Sequence, residues 1–266
     1  MPSLTPALRG EYQTLFDTCD IRPQRQQAVA TLVTQMAQNQ ARYDVIATAT
    51  GIPWYVVGVI HNMEASLNFR THLHNGDPLT QRTVHVPQGR PVSGAPPFTW
   101  EDSALDALRL QKLDRVRDWT VPGTLFQLEG YNGFGYRSRH PEVLSPYLWS
   151  FSNHYTRGKF VADGTFSPTA VSTQCGAAVL LRRMSETGLV HIPLEIGGQP
   201  EEADLEAIGA MVRFDPDRKS VQVETLQRFL NNFPGIFVKV DGFAGEKTSD
   251  AFKKVTGHFL LGDPRA

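Results

Sequence analysis

The chain has 266 residues, of which 41% are hydrophobic and 20% are charged, and its 26 basic and 27 acidic residues leave a formal net charge of −1. This length favours one main domain with a small appended unit. Because no run of like charge stands out, neither a nucleic acid nor an anionic membrane is indicated as the main partner. The two cysteines, Cys19 and Cys175, lack the spacing of a metal or redox motif, so we expect two buried or free thiols.

The first part of the chain reads as helical up to a long interruption. Apolar residues at helical spacing predict a helix over 24–42, and Pro53 predicts the start of a second helix that runs to about Leu67. Residues 68–99 are rich in glycine and proline. They predict a long loop or a small hairpin, with a β-like run at 83–86.

Helices are predicted again after this loop. Thr99 is a candidate N-cap, with Asp102 three positions on, for a helix whose apolar residues continue to about 119. Further helices are predicted over 121–130 and 169–187, on either side of an aromatic and irregular stretch.

The composition changes in the last quarter of the chain. Proline, glycine and acidic residues predict a linker that contains one short helix at 202–212, and two further helices are predicted over 220–232 and 246–256. We therefore divide the chain into a mainly α domain, a linker and a small three-helix module. Their predicted ranges are 1–190, 191–217 and 218–266.

No targeting or membrane segment is visible. The N-terminus lacks the basic start and the apolar run of ~7–15 residues that a secretory signal needs, and no stretch approaches the ~20 apolar residues of a membrane span. We expect a chain that does not cross a membrane. Its location is not assigned, and a substrate outside the cytoplasm requires another route of export or a signal that has been removed.

Glu64 lies within the apolar face of the helix predicted from Pro53, four residues after Ile60 and seven after Val57. Burial raises the pKa of a carboxyl group, which yields an acid that stays protonated near neutral pH. The alternative is a structural carboxylate that an arginine or backbone amides neutralise. Because the helix ends just after Glu64 in a loop, where substrates commonly bind, we favour a catalytic role.

Two short motifs carry a resemblance to a known family. Glu64-Ala65-Ser66 resembles the catalytic motif of lysozyme-like transglycosylases and goose-type lysozymes, and the segment 129–135, Glu-Gly-Tyr-Asn-Gly-Phe-Gly, resembles their Ala-Tyr-Asn-x-Gly-x-Gly motif. The resemblance implies a lysozyme-like helical domain with a small hairpin or loop lobe. It also implies that the Tyr131 hydroxyl lies near the catalytic carboxyl, that Asn132 shapes a sugar cleft, and that Ser66 contacts substrate.

The segment after the predicted catalytic helix departs from that family, because its Gly-Leu-Met-Gln-type segment is missing. The position of an acidic residue shortly after the helix resembles the arrangement in phage-type lysozymes and chitosanases. This resemblance implies that Asp77 is the candidate base. Thr80 and Thr83 are weaker candidates for holding the attacking water. A water between two carboxyl groups requires a separation of about 6.5–9.5 Å and inverts the sugar. The alternative is that Asn75-Gly76-Asp77-Pro78 simply forms a turn.

Other polar and aromatic residues have simpler explanations. The region holds His61, His72, His74 and His85, but no spacing among them matches a known zinc motif, so no metal is expected. Glu101 suits the first turn of its helix, whereas Glu129 is left open as a second carboxylate. Several aromatic side chains, Tyr147 among them, could stack on sugar rings, although most of this set are expected in the core.

The C-terminal segment resembles the three-helix peptidoglycan-binding module. Leu226-Gln227 precedes Asp241-Gly242-x-x-Gly245-x-x-Thr248, which matches the signature of that module. The resemblance implies that Asp241, Gly242, Gly245 and Thr248 belong to a unit that holds the cell wall.

Together these patterns predict an enzyme that cleaves β-1,4 glycosidic bonds in peptidoglycan, with Glu64 as general acid and Asp77 as a candidate base. Three alternatives stay open: a lytic transglycosylase, a chitosanase or chitinase on the same fold, and a non-catalytic wall-binding protein. We expect no cofactor, no nucleic-acid or membrane partner, and a monomer. The sequence does not separate hydrolase from transglycosylase, or phage from bacterial origin.

Overall fold

The computed structural model describes residues 2–162, 164–193 and 201–266 and shows a mainly α protein. The N-terminal part is built on helices joined by long irregular segments, with one two-stranded hairpin. Its elements are α1 (Pro6–Asp17), α2 (Gln26–Gln38), α3 (Gln40–Thr50), α4 (Trp54–Ala65), α5 (Trp100–Leu110), α6 (Val121–Tyr131), α7 (Gly135–Arg139), α8 (Pro146–Trp149), β1 (Lys159–Ala162), β2 (Thr165–Ser167) and α9 (Ala177–Glu186). Short 3₁₀ turns occupy Pro23–Arg25 and Leu113–Arg115.

Helix α4 forms the centre of the main hydrophobic core. It packs against α2, α3 and α9, and all but two of its twelve residues are buried. A helix that is apolar on nearly every side belongs inside a domain. Glu64, on its last turn, is one of the two exceptions and is half-buried.

Local sequence signals set the ends of the helices. The hydroxyls of Thr5, Thr99 and Thr120 accept hydrogen bonds from amides in the first turns of α1, α5 and α6, as N-caps do. Helix α4 ends where Ser66 adopts a left-handed conformation with φ of 49°. The predicted N-cap at Thr99 is therefore confirmed, while the helix predicted to reach Leu67 ends two residues earlier.

Several sequence predictions need correction. The helix predicted over 24–42 divides at Asn39 into α2 and α3, and α1 was not predicted although Thr5 followed by Pro6 is a helix-start signal. The β-like run at 83–86 forms no strand, because the loop is ordered by side-chain hydrogen bonds rather than by strand pairing. Helix α9 begins at Ala177 instead of residue 169.

The C-terminal part has a separate core. Its elements are α10 (Glu202–Gly209), β3 (Asp215–Lys219), α11 (Val221–Leu230), β4 (Phe243–Ala244) and α12 (Glu246–Thr256). Strands β3 and β4 pair antiparallel. Leu205 and Val212, which fall in the predicted linker, pack into this core, so the described part of that segment belongs with the module. Residues 194–200 of the predicted linker lie outside the described residues.

The buried Gln227 explains the motif of the C-terminal unit. Its amide nitrogen donates to Asp241 Oδ1 at 2.9 Å and to Thr248 Oγ1 at 3.1 Å, while its oxygen accepts from the amides of Asp241 and Gly242 at 3.0 and 2.8 Å. Gly242 has a φ of +80°, and a side chain there would collide with Lys219. Gly245 is the N-cap residue of α12. These motif residues hold the unit together.

The two cores meet at a polar junction beside α1. Arg228 of α11 contacts Asp17 at 3.1 Å, and Lys239 contacts Asp20 at 2.9 Å. The buried Arg182 of α9 stacks on the ring of Phe237, 4.6 Å from its centroid. The C-terminal unit is thus anchored to the main domain by ion pairs and a cation–π contact.

Within the described residues, no single helix is long and apolar enough to cross a membrane. Helices α3 and α4 together have the length and apolar composition of a span, but they are bent by 113° relative to each other. Cys19 and Cys175 are both buried free thiols, as expected.

Candidate active site

The carboxyl group of Glu64 stands at the end of the buried helix α4 and receives a hydrogen bond from a tyrosine. The Tyr147 hydroxyl, on α8, donates to Glu64 Oε1 at 2.9 Å. No described lysine, arginine or histidine forms an ion pair with Glu64. The structural alternative that an arginine neutralises this carboxylate does not apply within the described residues.

This environment favours the protonated form of Glu64. Burial raises the pKa of its carboxyl group from 4.5 to about 7, and the hydrogen bond from Tyr147 opposes the rise, because it stabilises the ionised form. A carboxylic acid with a pKa near neutrality can deliver a proton to a leaving oxygen at the pH of most cells.

Tyr131 and Tyr147 lie close enough to Glu64 to share its electrostatic field. Burial and then the negative charge of Glu64 raise the pKa of each hydroxyl well above its ordinary value. Both therefore stay protonated as neutral hydrogen-bond donors. The resemblance places Tyr131 near the carboxyl, and in the structure Tyr147 makes the direct contact while Tyr131 is a neighbour.

A cavity of about 350 Å³ opens beside this cluster. It is bounded by Tyr147, Asn132 and Gln174, by α7 and by the hairpin β1–β2. Gln174 Nε2 also donates to the backbone oxygen of Met63 at 2.7 Å, which ties the cavity wall to the last turn of α4. Glu64 is therefore separated from the cavity by a single hydrogen-bonded side chain, Tyr147.

Asp77 organises the loop that follows α4. Its Oδ2 accepts from the amides of Val84 and His85 at 2.8 and 3.0 Å, and its Oδ1 contacts His85 Nδ1 at 2.6 Å. Although burial alone raises the pKa of Asp77, the hydrogen bonds from His85 and Val84 hold it at about 2. These contacts account for Asp77 as a turn residue, and its role as a base stays a prediction.

Gly76 brings this loop close to the end of helix α4. A side chain at Gly76 would come within 3.5 Å of the Glu64 backbone oxygen, and its φ of +78° suits glycine. The loop containing Asp77 therefore runs past the end of α4, as the sequence predicts.

The remaining predicted site residues are placed differently. Thr83 is buried, where its Oγ1 accepts from the Arg90 amide at 2.9 Å and donates to the backbone oxygen of Pro87. Thr80 is exposed, and Ser66 is the exposed residue that ends α4. Asn132 is exposed at the cavity. Of this group, the structure brings only Asn132 to the cavity wall.

The other candidate carboxylates are paired. Glu129 is only 2% exposed and accepts hydrogen bonds from Tyr12 and from Arg137 Nε, the latter at 2.9 Å. Glu101 forms a two-point contact with Arg42, at 2.7 and 3.0 Å. Both have structural partners that Glu64 lacks.

The histidines do not converge on a metal site. His72 contacts Ser103 at 2.8 Å, and His74 contacts Asp106 at 2.8 Å. His61 lies 3.0 Å from the Tyr43 hydroxyl. Burial lowers the pKa of His61 to about 4, so it is neutral. Within the part of the chain that the structure describes, no three side chains of the ligand type form a group that could hold a metal ion.

The sequence offers Tyr147 only as one of several aromatics that could stack on a sugar, and it does not indicate Gln174 or the contact of Tyr147 with Glu64. Tyr147 is 83 positions from Glu64. A tyrosine beside a proline in an irregular stretch carries no periodic signal, so only the tertiary fold identifies its partner.

Comparison of the chain with protein-family models, with curated proteins and with solved structures gives no match. Function is therefore inferred from the site itself.

Proposed function

We propose that this protein cleaves β-1,4 glycosidic bonds between N-acetylated sugars of bacterial peptidoglycan, with Glu64 as the general acid. The observation that carries the proposal is a carboxyl group with a pKa of about 7, free of an ionic partner among the described residues, one side chain away from an open cavity. Cleavage of a glycosidic bond needs such an acid to protonate the leaving oxygen.

The roles of the neighbouring residues follow from their contacts. Tyr147 fixes the orientation of the Glu64 carboxyl group through its hydrogen bond. Gln174 holds the last turn of α4 against the cavity wall. Asn132 offers an exposed amide to a sugar hydroxyl or acetamido group.

The second half of the reaction has two versions. In a hydrolase of this kind, Asp77 or the loop it organises activates a water. In a lytic transglycosylase, groups of the substrate complete the reaction, and no second carboxylate is needed. The heavily hydrogen-bonded state of Asp77, whose side chain is only 7% exposed, favours the second version.

We also propose that the C-terminal unit holds the glycan substrate near the main domain. Its similarity to a peptidoglycan-binding module supports this role, as does its anchoring by Arg228 and Asp17. Because Asp241, Gly242 and Thr248 bond to the buried Gln227, the wall would contact other residues of the unit.

Digestion of purified sacculi tests the proposal. The wild-type protein should release fragments from sacculi, and the near-isosteric Glu64→Gln variant should lose this activity by at least ~100-fold, in keeping with the usual contribution of a general acid. Glu202→Gln, which changes an exposed carboxylate of α10, should keep full activity. Unchanged activity in Glu64→Gln would contradict the proposed role.

Mass spectrometry of the fragments separates the alternatives. Reducing ends indicate hydrolysis and 1,6-anhydro ends indicate a transglycosylase, whereas cleaved stem peptides indicate a peptidase. Release from chitin or chitosan without release from sacculi would favour the chitinase or chitosanase alternative. Binding to sacculi with no fragments at all would favour a non-catalytic wall-binding protein.

A further inference from the structure

The cavity beside Glu64 carries two cationic side chains. Arg139, at the end of α7, and Lys159, at the start of β1, both line it, and none of its described lining residues is acidic. A chain with a formal net charge of −1 has no general excess of basic residues. The two cations are thus a local feature of this cavity.

Arg139 is held in place by packing rather than by an ion pair. Its guanidinium carbon lies 5.1 Å from the centroid of the Phe160 ring. Its Nη2 lies 3.0 Å from the position that a Cβ of Gly135 would take, so the missing side chain at Gly135 leaves room for the guanidinium. Stacking on an aromatic ring orients an arginine while leaving its N–H groups available.

Neither cation is engaged by a carboxylate in the described parts of the chain. The salt bridges among the described residues all involve other side chains, and neither Arg139 nor Lys159 takes part in any of them. Two cations that line the same cavity and form no ion pair among the described residues attract an anion, and the guanidinium of the arginine suits planar, two-point recognition of a carboxylate.

The cations also leave the acid undisturbed. The pKa of Glu64 is set by burial and by Tyr147, with no contribution from Arg139 or Lys159. The two cations of the cavity are therefore electrostatically separate from the proposed acid.

We infer that this cavity is a subsite for a carboxylate carried by the sugar chain, with Arg139 and Lys159 as its specificity-determining residues. The inference rests on the proposed function and narrows its substrate class. It favours acidic glycans over neutral chitin, and it disfavours chitosan because the amino groups of that polymer are cationic. In peptidoglycan, the carboxylate is either that of the lactyl group or that of the stem peptide.

Substrates with and without free carboxylates test the subsite. Intact sacculi supply stem-peptide carboxylates, and amidase-stripped strands supply the lactyl carboxylate; each is assayed before and after carbodiimide coupling to methylamine, which converts carboxylates to neutral amides. For the wild type, blocking the recognised carboxylate should lower kcat/KM about twofold to fivefold, as expected for a partly exposed charge pair. The substrate that shows this loss identifies the source of the carboxylate.

The double variant Arg139→Gln/Lys159→Gln should lose the preference for the unblocked substrate. Arg139→Lys should keep part of it, and Arg109→Gln, which removes an exposed charge of α5, should keep all of it. Binding of stripped strands gives a readout that needs no turnover, and it is measured for Glu64→Gln and for Glu64→Gln combined with the two cavity substitutions. Added salt should weaken binding by Glu64→Gln more steeply than binding by the combined variant, which lacks the two cations.

The possible failures are distinguishable. If the wild type cleaves blocked and unblocked substrates equally well, or if the double variant keeps the wild-type preference, the subsite inference is wrong while the proposed function stands. If the wild type releases fragments from no substrate, the proposed function itself fails.

Discussion

Replacing Glu64 by glutamine is expected to stabilise the fold near neutral pH, although it removes the proposed acid. The unfolded chain ionises this group around its ordinary pKa of 4.5, whereas burial, opposed by the Tyr147 hydrogen bond, raises the pKa in the fold to about 7. Between these values the folded state binds more protons than the unfolded state, so stability falls as the pH rises. Below pH 4.5 the residue is protonated in both states, and the cost disappears.

The size of this effect follows from the two pKa values. A rise from 4.5 to about 7 corresponds to about 3 kcal/mol of lost stability at pH 8, and the partial exposure of Glu64 reduces this to about 2 kcal/mol. Glutamine has a similar shape and can accept the Tyr147 hydrogen bond without a charge. The variant should therefore be more stable than the wild type by about 2 kcal/mol at pH 8 and nearly equal to it at pH 4.

Urea unfolding at pH 4 and pH 8 measures the difference. Tryptophan fluorescence is suitable because all four tryptophans, at 54, 100, 119 and 149, lie in the main domain. Glu129→Gln is the control: its carboxylate is more deeply buried but is paired with Arg137, so glutamine should destabilise the domain at pH 8. The raised pKa is refuted if the Glu64→Gln variant is less stable than the wild type at pH 8. It is also refuted if the difference in unfolding free energy between the two proteins is the same at both pH values.

Three further outcomes follow from the contacts. Tyr147→Phe removes a hydrogen bond that lowers the Glu64 pKa, so the alkaline limb of the kcat/KM profile should move up by about one pH unit; a downward move contradicts the assignment. Tyr12→Phe removes the corresponding contact to Glu129 and should lower the unfolding free energy by about 1 kcal/mol, with no move of the pH profile. Gln227→Leu leaves the amides of Asp241 and Gly242 without their acceptor. Hydrogen exchange of these amides should accelerate by about 30-fold or more, consistent with a loss of about 2–3 kcal/mol. Unchanged protection would show that the turn does not depend on Gln227.

The sequence predicted those helices and helix ends that depend on residues close together in the chain. Short-range patterns indicate the apolar face around Ile60, the N-cap at Thr99 and the helix Glu246–Thr256. The same patterns singled out Glu64, because a charged residue within an apolar stripe is visible without any tertiary information.

Contacts between distant segments could not be predicted in this way. The partner of Glu64 is Tyr147, and the loop carboxylate Asp77 uses its oxygens on Val84 and His85 instead of facing an open site. Sequence patterns identify which side chains are chemically suitable, but hydrogen-bond saturation depends on where the backbone places donors. The sequence therefore indicates Asp77 as a candidate base, because the type and position of its side chain are visible in the sequence and its hydrogen-bond partners are not.

The two enclosed glutamates of the main domain show what distinguishes a candidate acid from a structural carboxylate. Glu64 and Glu129 each accept a hydrogen bond from a tyrosine, Tyr147 and Tyr12 respectively. A tyrosine contact therefore does not by itself indicate catalysis. The difference lies in the next neighbour: Glu129 has the guanidinium of Arg137, whereas Glu64 has no cationic partner among the described residues. An arginine keeps a buried carboxylate ionised, while burial without a cation keeps it protonated and able to donate. Placing an arginine where Tyr147 stands would convert the arrangement at Glu64 into the one at Glu129, and the proposed chemistry would be lost with the proton.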